Sequence, residues 1–249
     1  MSGSITLENR FGVNKMELIS LKYAIFVIVL LVLYYCFPKK YRWYVLLAGS
    51  MAYYVIICKW YVLFIIFTIC TTYGSTIWID KLLKKQNAIV KSHKEDWDRQ
   101  TRKEYKEKGR KKRVAVMLFA LLCNFGILAF LKYIPYAGEL GLLLPLGISF
   151  YTFQSMGYVM DVYREIVEPE KNFLKVALFV SFFPQIIQGP IAIYDKLAGQ
   201  LYEGHSLRLE NLQKGALLVL WGVMKKLVIA DRAVNIINFV MDKPMDFSG

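Results

Sequence analysis

Polar side chains inside apolar segments are the residues whose types and spacing could support chemistry here. They carry amide, carboxylate or guanidinium groups, and they are Gln154, Asp161, Arg164, Gln185 and Gln188. Gln154 and Asp161 are seven residues apart, which places both on one face of a helix. Arg164 lies three residues after Asp161, a spacing that allows an ion pair at the helix end. An acid at the end of an apolar helix needs water or a partner, so these groups either fix the helix end or line a polar path.

Other groups that could act in catalysis are few. The only histidines are His93 and His205. His93 lies among charged residues and His205 in a Gly-His-Ser turn, so we interpret both as solvated or structural. The sequence contains no Ser–His–Asp set, no metal-ligand cluster and no glycine-rich phosphate loop. The four cysteines lie singly in apolar runs, which predicts neither a disulfide framework nor a metal site.

The segments around these residues are typical of a membrane protein. The chain is 56% hydrophobic and its mean hydropathy is +0.37. The apolar residues form long runs, as membrane spans do. Four spans are predicted, at residues 18–37, 43–58, 60–79 and 114–131. Trp43, Trp60 and Trp78 fall at the ends of these spans, where aromatic residues favour the membrane interface. The predicted fold class is therefore all-α, a polytopic transmembrane helical protein.

The positive charge is concentrated beside these spans. The net charge is +13, and residues 80–113 contain fourteen Lys/Arg against six Asp/Glu. Lys39, Lys40 and Arg42 form a second basic connection, separated from the first by two predicted spans. The positive-inside rule places both on the cytoplasmic side and the N-terminus outside, in a multi-pass protein of the cell membrane. Most of residues 80–113 is expected to be helical, and either amphipathic or solvated, rather than a folded domain. The expected partner is membrane lipid, not nucleic acid.

Two later apolar segments are interrupted by proline and glycine. The interrupting residues are Pro145 and Gly147 in residues 140–160, and Pro184, Gly189 and Pro190 in residues 173–193. Irregular backbone at membrane depth is tolerated only inside the protein or along a cavity. We therefore predict broken or re-entrant interior helices. The prolines and glycines either produce kinks and close packing or open the backbone to line a tunnel.

The order of motifs adds a family resemblance. Residues 144–154 read LPLGISFYTFQ, followed by DVYR at 161–164, NF at 172–173, FFPQ at 182–185 and GP at 189–190. This series resembles the membrane-bound O-acyltransferase family, in its alginate O-acetyltransferase-like branch. The D-alanyl transfer protein of teichoic acid synthesis is a more distant relative. The resemblance is strong from residue 144 to about residue 231 and weaker over residues 1–131.

The resemblance implies a fold, a reaction and two parts of the chain. Residues 1–131 would be the N-terminal transmembrane helices, and residues 132–249 the start of a core with a central pore. The reaction would transfer an acyl group, acetyl by analogy, from a thioester donor to a hydroxyl of a cell-surface polysaccharide or related acceptor. The donor, acetyl-CoA or an acyl carrier, would bind on the cytoplasmic side as substrate, with no bound cofactor. An extracellular acyltransferase is an expected partner.

The same resemblance assigns roles to the polar residues. The acyl-path or pore-lining candidates are Gln154, Asp161, Arg164, Gln185 and Gln188. The family's catalytic histidine is expected beyond residue 249, because neither His93 nor His205 matches its position. For Gln185 and Gln188, helix packing and path lining are equally compatible with the sequence.

Two other function classes are compatible with these observations. Broken helices with intramembrane polar groups are also typical of transporters and permeases. A basic segment beside membrane spans could instead make the chain a scaffold that binds anionic lipid. A histidine on an apolar helix beyond residue 249 would favour the enzyme, and similarity between two halves of a longer protein would favour a transporter.

Overall fold

The computed structural model describes residues 21–93, 96–133, 145–234 and 237, and within them the regular elements are helical. The predicted all-α class is confirmed for this part of the chain. The first four helices are α1 (Leu21–Cys36), α2 (Arg42–Cys58), α3 (Val62–Ser92) and α4 (Arg99–Tyr133). The later ones are α5 (Ile148–Tyr163), α6 (Phe173–Ser181), α7 (Phe183–Gln188), α8 (Tyr194–Tyr202) and α9 (Leu209–Met224). A π-helical segment, Lys225–Ala230, continues α9.

Two helical stretches are long and apolar enough to cross a membrane. They are Lys39–Ser92, which joins α2 to α3, and Arg99–Tyr133, which is α4. The first contains a turn at Lys59, which has a φ of 48°, a left-handed conformation that is uncommon for lysine. Helix α1 and the stretch Phe173–Ile186 are shorter apolar helices.

Helices α3 and α4 continue well past their apolar parts. Helix α3 has 31 residues and α4 has 35. At 1.5 Å per residue α3 is about 46 Å long, whereas a bilayer core is about 30 Å thick. The end of α3 (residues 80–92) and the start of α4 (residues 99–113) both extend beyond the apolar parts, and we call these two basic arms, with the residues between them in the chain, the basic hairpin. The prediction that this segment is helical is confirmed for the residues described.

The core is built around α3. This helix packs against α4, α5 and α6, while α2 packs against α1, α6 and α7. Ile65 on α3, Tyr151 on α5 and Phe179 on α6 are fully buried in the main apolar cluster. Helix α9 buries none of its residues.

Residues 195–214 are largely polar, a composition typical of a link between helices. The first part of this stretch is nevertheless helical, because Tyr194–Tyr202 forms α8. Its buried residues are Tyr194, Ala198 and Leu201, spaced four and three apart, so one helical face packs on the core. The polar residues that suggested a link occupy the opposite, exposed face.

Candidate functional site

The two helix breaks predicted from proline and glycine lie in contact with each other. Gly147 precedes α5 with a φ of 69°, which glycine adopts without steric cost. The apolar stretch that follows is broken at Phe182, where α6 ends and α7 begins, with Pro184 in the first turn of α7. A Cβ atom at Gly147 would lie 2.5 Å from the carbonyl oxygen of Ile186 in α7. Close backbone packing between the two breaks therefore requires glycine at position 147.

Helix α7 is held at both ends by polar side chains. The buried hydroxyl of Ser50 on α2 accepts a hydrogen bond from the Phe183 N–H at 3.3 Å. At the other end, the Gln185 amide donates to the Pro190 carbonyl at 2.8 Å. Gln185 is also buried, so its amide closes the turn that follows α7. The side chain of Gln188 lies outside the described part of the chain.

Gln154 joins the two broken segments. Its side chain is 2% exposed, and its amide nitrogen donates to the Phe179 carbonyl at 2.9 Å. Phe179 lies on α6, so the contact connects α5 to the helix that precedes the second break. Both glutamines therefore have backbone partners around the second break. Gln154 donates to a carbonyl of α6, and Gln185 donates to a carbonyl just after α7.

Asp161 and Arg164 are not brought together. Asp161 is half-buried and Arg164 exposed, and among the described residues no ion pair joins them. The neighbouring Glu165 forms an ion pair instead, at 2.7 Å from the Arg113 guanidinium on α4. Glu165 has a φ of 62°, so the chain turns sharply at the end of α5 and carries this carboxylate towards α4. Arg113 and Glu165 are 52 residues apart, so their spacing in the sequence gave no indication of this pair.

The polar connection after α5 is fixed by a network of motif residues. The Tyr158 hydroxyl accepts from the Glu170 N–H at 2.8 Å, and the Tyr158 ring stacks on Tyr194 with centroids 4.1 Å apart. The Glu170 carboxylate lies 3.8 Å from the Lys175 ammonium. Asn172 caps α6 by accepting from the Leu174 N–H at 2.9 Å. These contacts tie the connection to α5, α6 and α8.

Tyr202 completes this network from α8. Its hydroxyl donates to the Lys175 carbonyl at 2.8 Å, and the Lys175 ammonium lies 4.8 Å from the Tyr202 ring centroid. Burial raises the pKa of Tyr202 above its usual value. The hydroxyl therefore stays protonated and remains a hydrogen-bond donor at neutral pH.

Buried hydroxyl groups give the interior a polar character that the apolar composition of these helices does not indicate. Hydroxyls on α2, α3, α5 and α6 are buried and have no hydrogen-bond partner within the described residues. They include those of Tyr53, Thr72, Ser155 and Ser181. Most buried polar groups in proteins are paired with protein or water. Unpaired hydroxyls at this depth are suited to binding water or the polar part of a ligand.

The two histidines are both exposed. His93 ends the α3 part of the basic hairpin and stacks on Trp97, with ring centroids 4.9 Å apart. His205 lies 2.9 Å from the Gln200 carbonyl through its Nε2 atom. It also lines one end of an apolar groove of about 400 Å³ that includes Pro184 of α7. Of the two, only His205 is near a helix break.

Comparison with known proteins gives similarity to enzymes that transfer acetyl groups. The chain is 31% identical to the peptidoglycan O-acetyltransferase of Helicobacter pylori, over 53% of the chain and 32% of that relative. It is 40% identical to the probable alginate O-acetylase AlgI of Pseudomonas syringae, over 36% of the chain and 17% of that relative. For the protein of the same name from Azotobacter vinelandii the identity is 33%, over 51% of the chain and 24% of that relative.

The chain spans about a third or less of the length of these relatives. No family model and no solved structure matches it. The two membrane-capable stretches and the similarity to O-acetyltransferases together indicate a membrane protein. The chain is therefore similar in sequence to alginate O-acetylases and to a peptidoglycan O-acetyltransferase, the kind of enzyme that its motif series resembles.

Proposed function

We propose that this chain is part of a membrane O-acyltransferase that transfers an acetyl group from a thioester to a hydroxyl of a cell-envelope polysaccharide. The observation that carries the proposal is the similarity to three proteins named as O-acetyltransferases or O-acetylases. The acceptors in those names, peptidoglycan and alginate, are both polysaccharides. The matching reaction for this chain is acyl transfer to a sugar hydroxyl.

The geometry of the two helix breaks supports this proposal. A membrane acyltransferase must bring a polar thioester and a polar hydroxyl together away from bulk water. In this chain Gly147 and α7 place two irregular backbone segments in contact, and buried hydroxyls such as those of Ser155 and Ser181 lie on the adjoining helices α5 and α6. An interior of this kind offers hydrogen-bonding groups within an apolar protein.

The general base belongs, in this proposal, to a part of the enzyme beyond residue 249. Acyl transfer to a hydroxyl needs a group that removes the hydroxyl proton. His93 and His205 are both exposed and both engage nearby backbone carbonyls, at Ile89 and Gln200. The described helices would then supply walls and support, including Gln154 and Gln185 beside the acyl path.

The proposed orientation places the basic hairpin in the cytoplasm. Its positive surplus satisfies the positive-inside rule, and the second basic connection, which contains Arg42, lies at the same side of the α2–α3 pair. The thioester donor would reach the enzyme from this side. The polysaccharide acceptor, and an extracellular acyltransferase partner, would act from the other.

Cysteine labelling tests this orientation. In a background without the four native cysteines, Ser92→Cys is expected to resist a membrane-impermeant maleimide in intact cells and to react after permeabilisation. Ser92 is exposed at the hairpin end of α3, so access to the reagent decides the result. Trp60→Cys is the matched control, because Trp60 is 84% exposed just before the other end of α3. Trp60→Cys should react in intact cells. If only Ser92→Cys reacted in intact cells, the basic hairpin would lie outside and the proposed orientation would be wrong.

Deletion of the gene that encodes this chain tests the reaction. We expect the O-acetyl content of the cell-envelope polysaccharide to fall and to return when the gene is restored. The measurement is acetate released by mild alkali, expressed per sugar residue. Unchanged acetate, with polysaccharide export reduced instead, would contradict the proposal and favour a transporter.

A further inference from the structure

A cavity of about 500 Å³ lies between α3 and α4 in the basic hairpin, beside the end of α5. Its most conspicuous feature is a row of cations on α4. They are Lys103, Lys106, Arg110 and Arg113. The volume is within the range of small-molecule sites in proteins.

The spacing of these cations places them on one helical face. They follow one another at intervals of three, four and three residues, the pattern that normally puts apolar side chains between two packed helices. The positive-inside rule explains how many cations the hairpin carries but not why four share the face that meets α3. Lys103, Lys106 and Arg110 form no ion pair within the described part of the chain.

The cavity remains positive after its acids are counted. Two carboxylates line it, those of Glu107 and Glu165, so four cations against two anions leave a surplus of two. Glu165 is already paired with Arg113 at 2.7 Å. The opposite wall, on α3, contributes the amides of Gln86 and Asn87. Lysine and arginine beside amide donors are the groups that bind phosphate oxygens in proteins.

The walls of the cavity are fixed by close packing. The Gln86 side chain packs against Gly109 and occupies the space that a Cβ atom at position 109 would fill. The Gln86 amide nitrogen lies 3.4 Å from the Lys106 carbonyl, and Gln86 is 6% exposed. Arg113, at the inner end, is 7% exposed, and its Nε has no hydrogen-bond partner among the described residues. A buried donor without a partner, beside three unpaired cations, is suited to an anionic ligand.

We infer that this cavity binds the phosphate group of a phosphate-bearing molecule. The phosphate could belong to a soluble ester, such as the carrier portion of a thioester, or to the headgroup of an anionic lipid. The shared chemistry is a negatively charged phosphate group held by Lys103, Arg110 and Arg113. The soluble-ester case rests on the proposed function, but phosphate binding is measured without acyl transfer, so the inference and the proposed function can fail separately.

Ligand binding by matched charge variants tests the inference. Lys103→Gln with Arg110→Gln removes two charges from the cavity. Lys108→Gln with Lys111→Gln removes two charges from exposed residues of the same helix that do not line it. All chains are purified whole in zwitterionic detergent at low salt, and titrated with pyrophosphate and coenzyme A by calorimetry. Binding to vesicles with and without phosphatidylglycerol is measured in parallel.

We expect the cavity variant to bind at least one probe about tenfold more weakly, and the control variant to bind as the native chain does. Loss confined to pyrophosphate and coenzyme A identifies a soluble ester as the source, and loss confined to phosphatidylglycerol vesicles identifies a lipid. Equal weakening in the two variants would overturn the inference, because net charge alone would then explain binding. Absence of binding to all three probes would overturn it as well. Thermal unfolding of both variants confirms that each is folded.

Discussion

Replacing Gly147 with alanine is expected to lower the free energy of unfolding by about 2–5 kcal/mol. Two costs combine at this position. A left-handed backbone disfavours any residue with a Cβ atom, and the φ of Gly147 is 69°. The new Cβ atom would also meet the carbonyl oxygen of Ile186 at 2.5 Å, and backbone cannot rotate away as a side chain can. Thermal or denaturant unfolding in detergent, followed by circular dichroism, measures the loss.

Gly157→Ala is the matched control for this substitution. Gly157 lies within α5, and a Cβ atom built there meets no atom within 4 Å. Alanine is favoured over glycine in a helix by up to about 1 kcal/mol, so this variant should be as stable as the native chain or more stable. Equal destabilisation by both substitutions would show that the contact between Gly147 and α7 is not what holds the two breaks together.

The 249-residue chain expressed alone is expected to transfer acetyl groups about 100- to 10,000-fold more slowly than a longer protein that contains it and the proposed general base. That range is what a missing general base typically costs. The expectation follows from the proposed function and from the exposed positions of His93 and His205. The measurement is transfer of labelled acetyl to polysaccharide in membranes that contain equal amounts of either protein.

His205→Ala is the variant that makes this experiment decisive. Of the two histidines, His205 lines the groove beside α7, so it is the one whose position allows a role near the breaks. Activity in the 249-residue chain that disappears in His205→Ala, but persists in His93→Ala, would make His205 the base and contradict the proposal. Activity only in the longer protein would support it.

The helix breaks could be predicted from sequence because their signals are local. Proline and glycine restrict or permit particular backbone angles wherever they occur, so Gly147 and Pro184 indicated breaks without knowledge of the fold. The contact between the two breaks was not predictable. It depends on how α5 and α7 pack, and nothing near Gly147 in the sequence specifies Ile186 as its neighbour.

The ion pair at the end of α5 shows the limit of reasoning from spacing. Asp161 and Arg164 have a suitable separation for a pair on one helix, yet the structure pairs Glu165 with Arg113, 52 residues away. The left-handed backbone at Glu165 turns its side chain towards α4, and glutamate gives no local signal for that conformation. Long-range partners of this kind depend on tertiary packing, which helical periodicity does not encode.

Helix α3 has a mechanical consequence because it is unbroken from the buried core to the end of the basic hairpin. Thr72 is fully buried among the core helices, and Ser92 lies twenty residues further along the same helix. This distance is about 30 Å, so a tilt of about 5° at Thr72 would move the end of α3 by about 2.6 Å. The helix would therefore act as a lever arm. A movement of α3 towards α4 at the hairpin would rotate α3 by a few degrees where it packs against the other core helices.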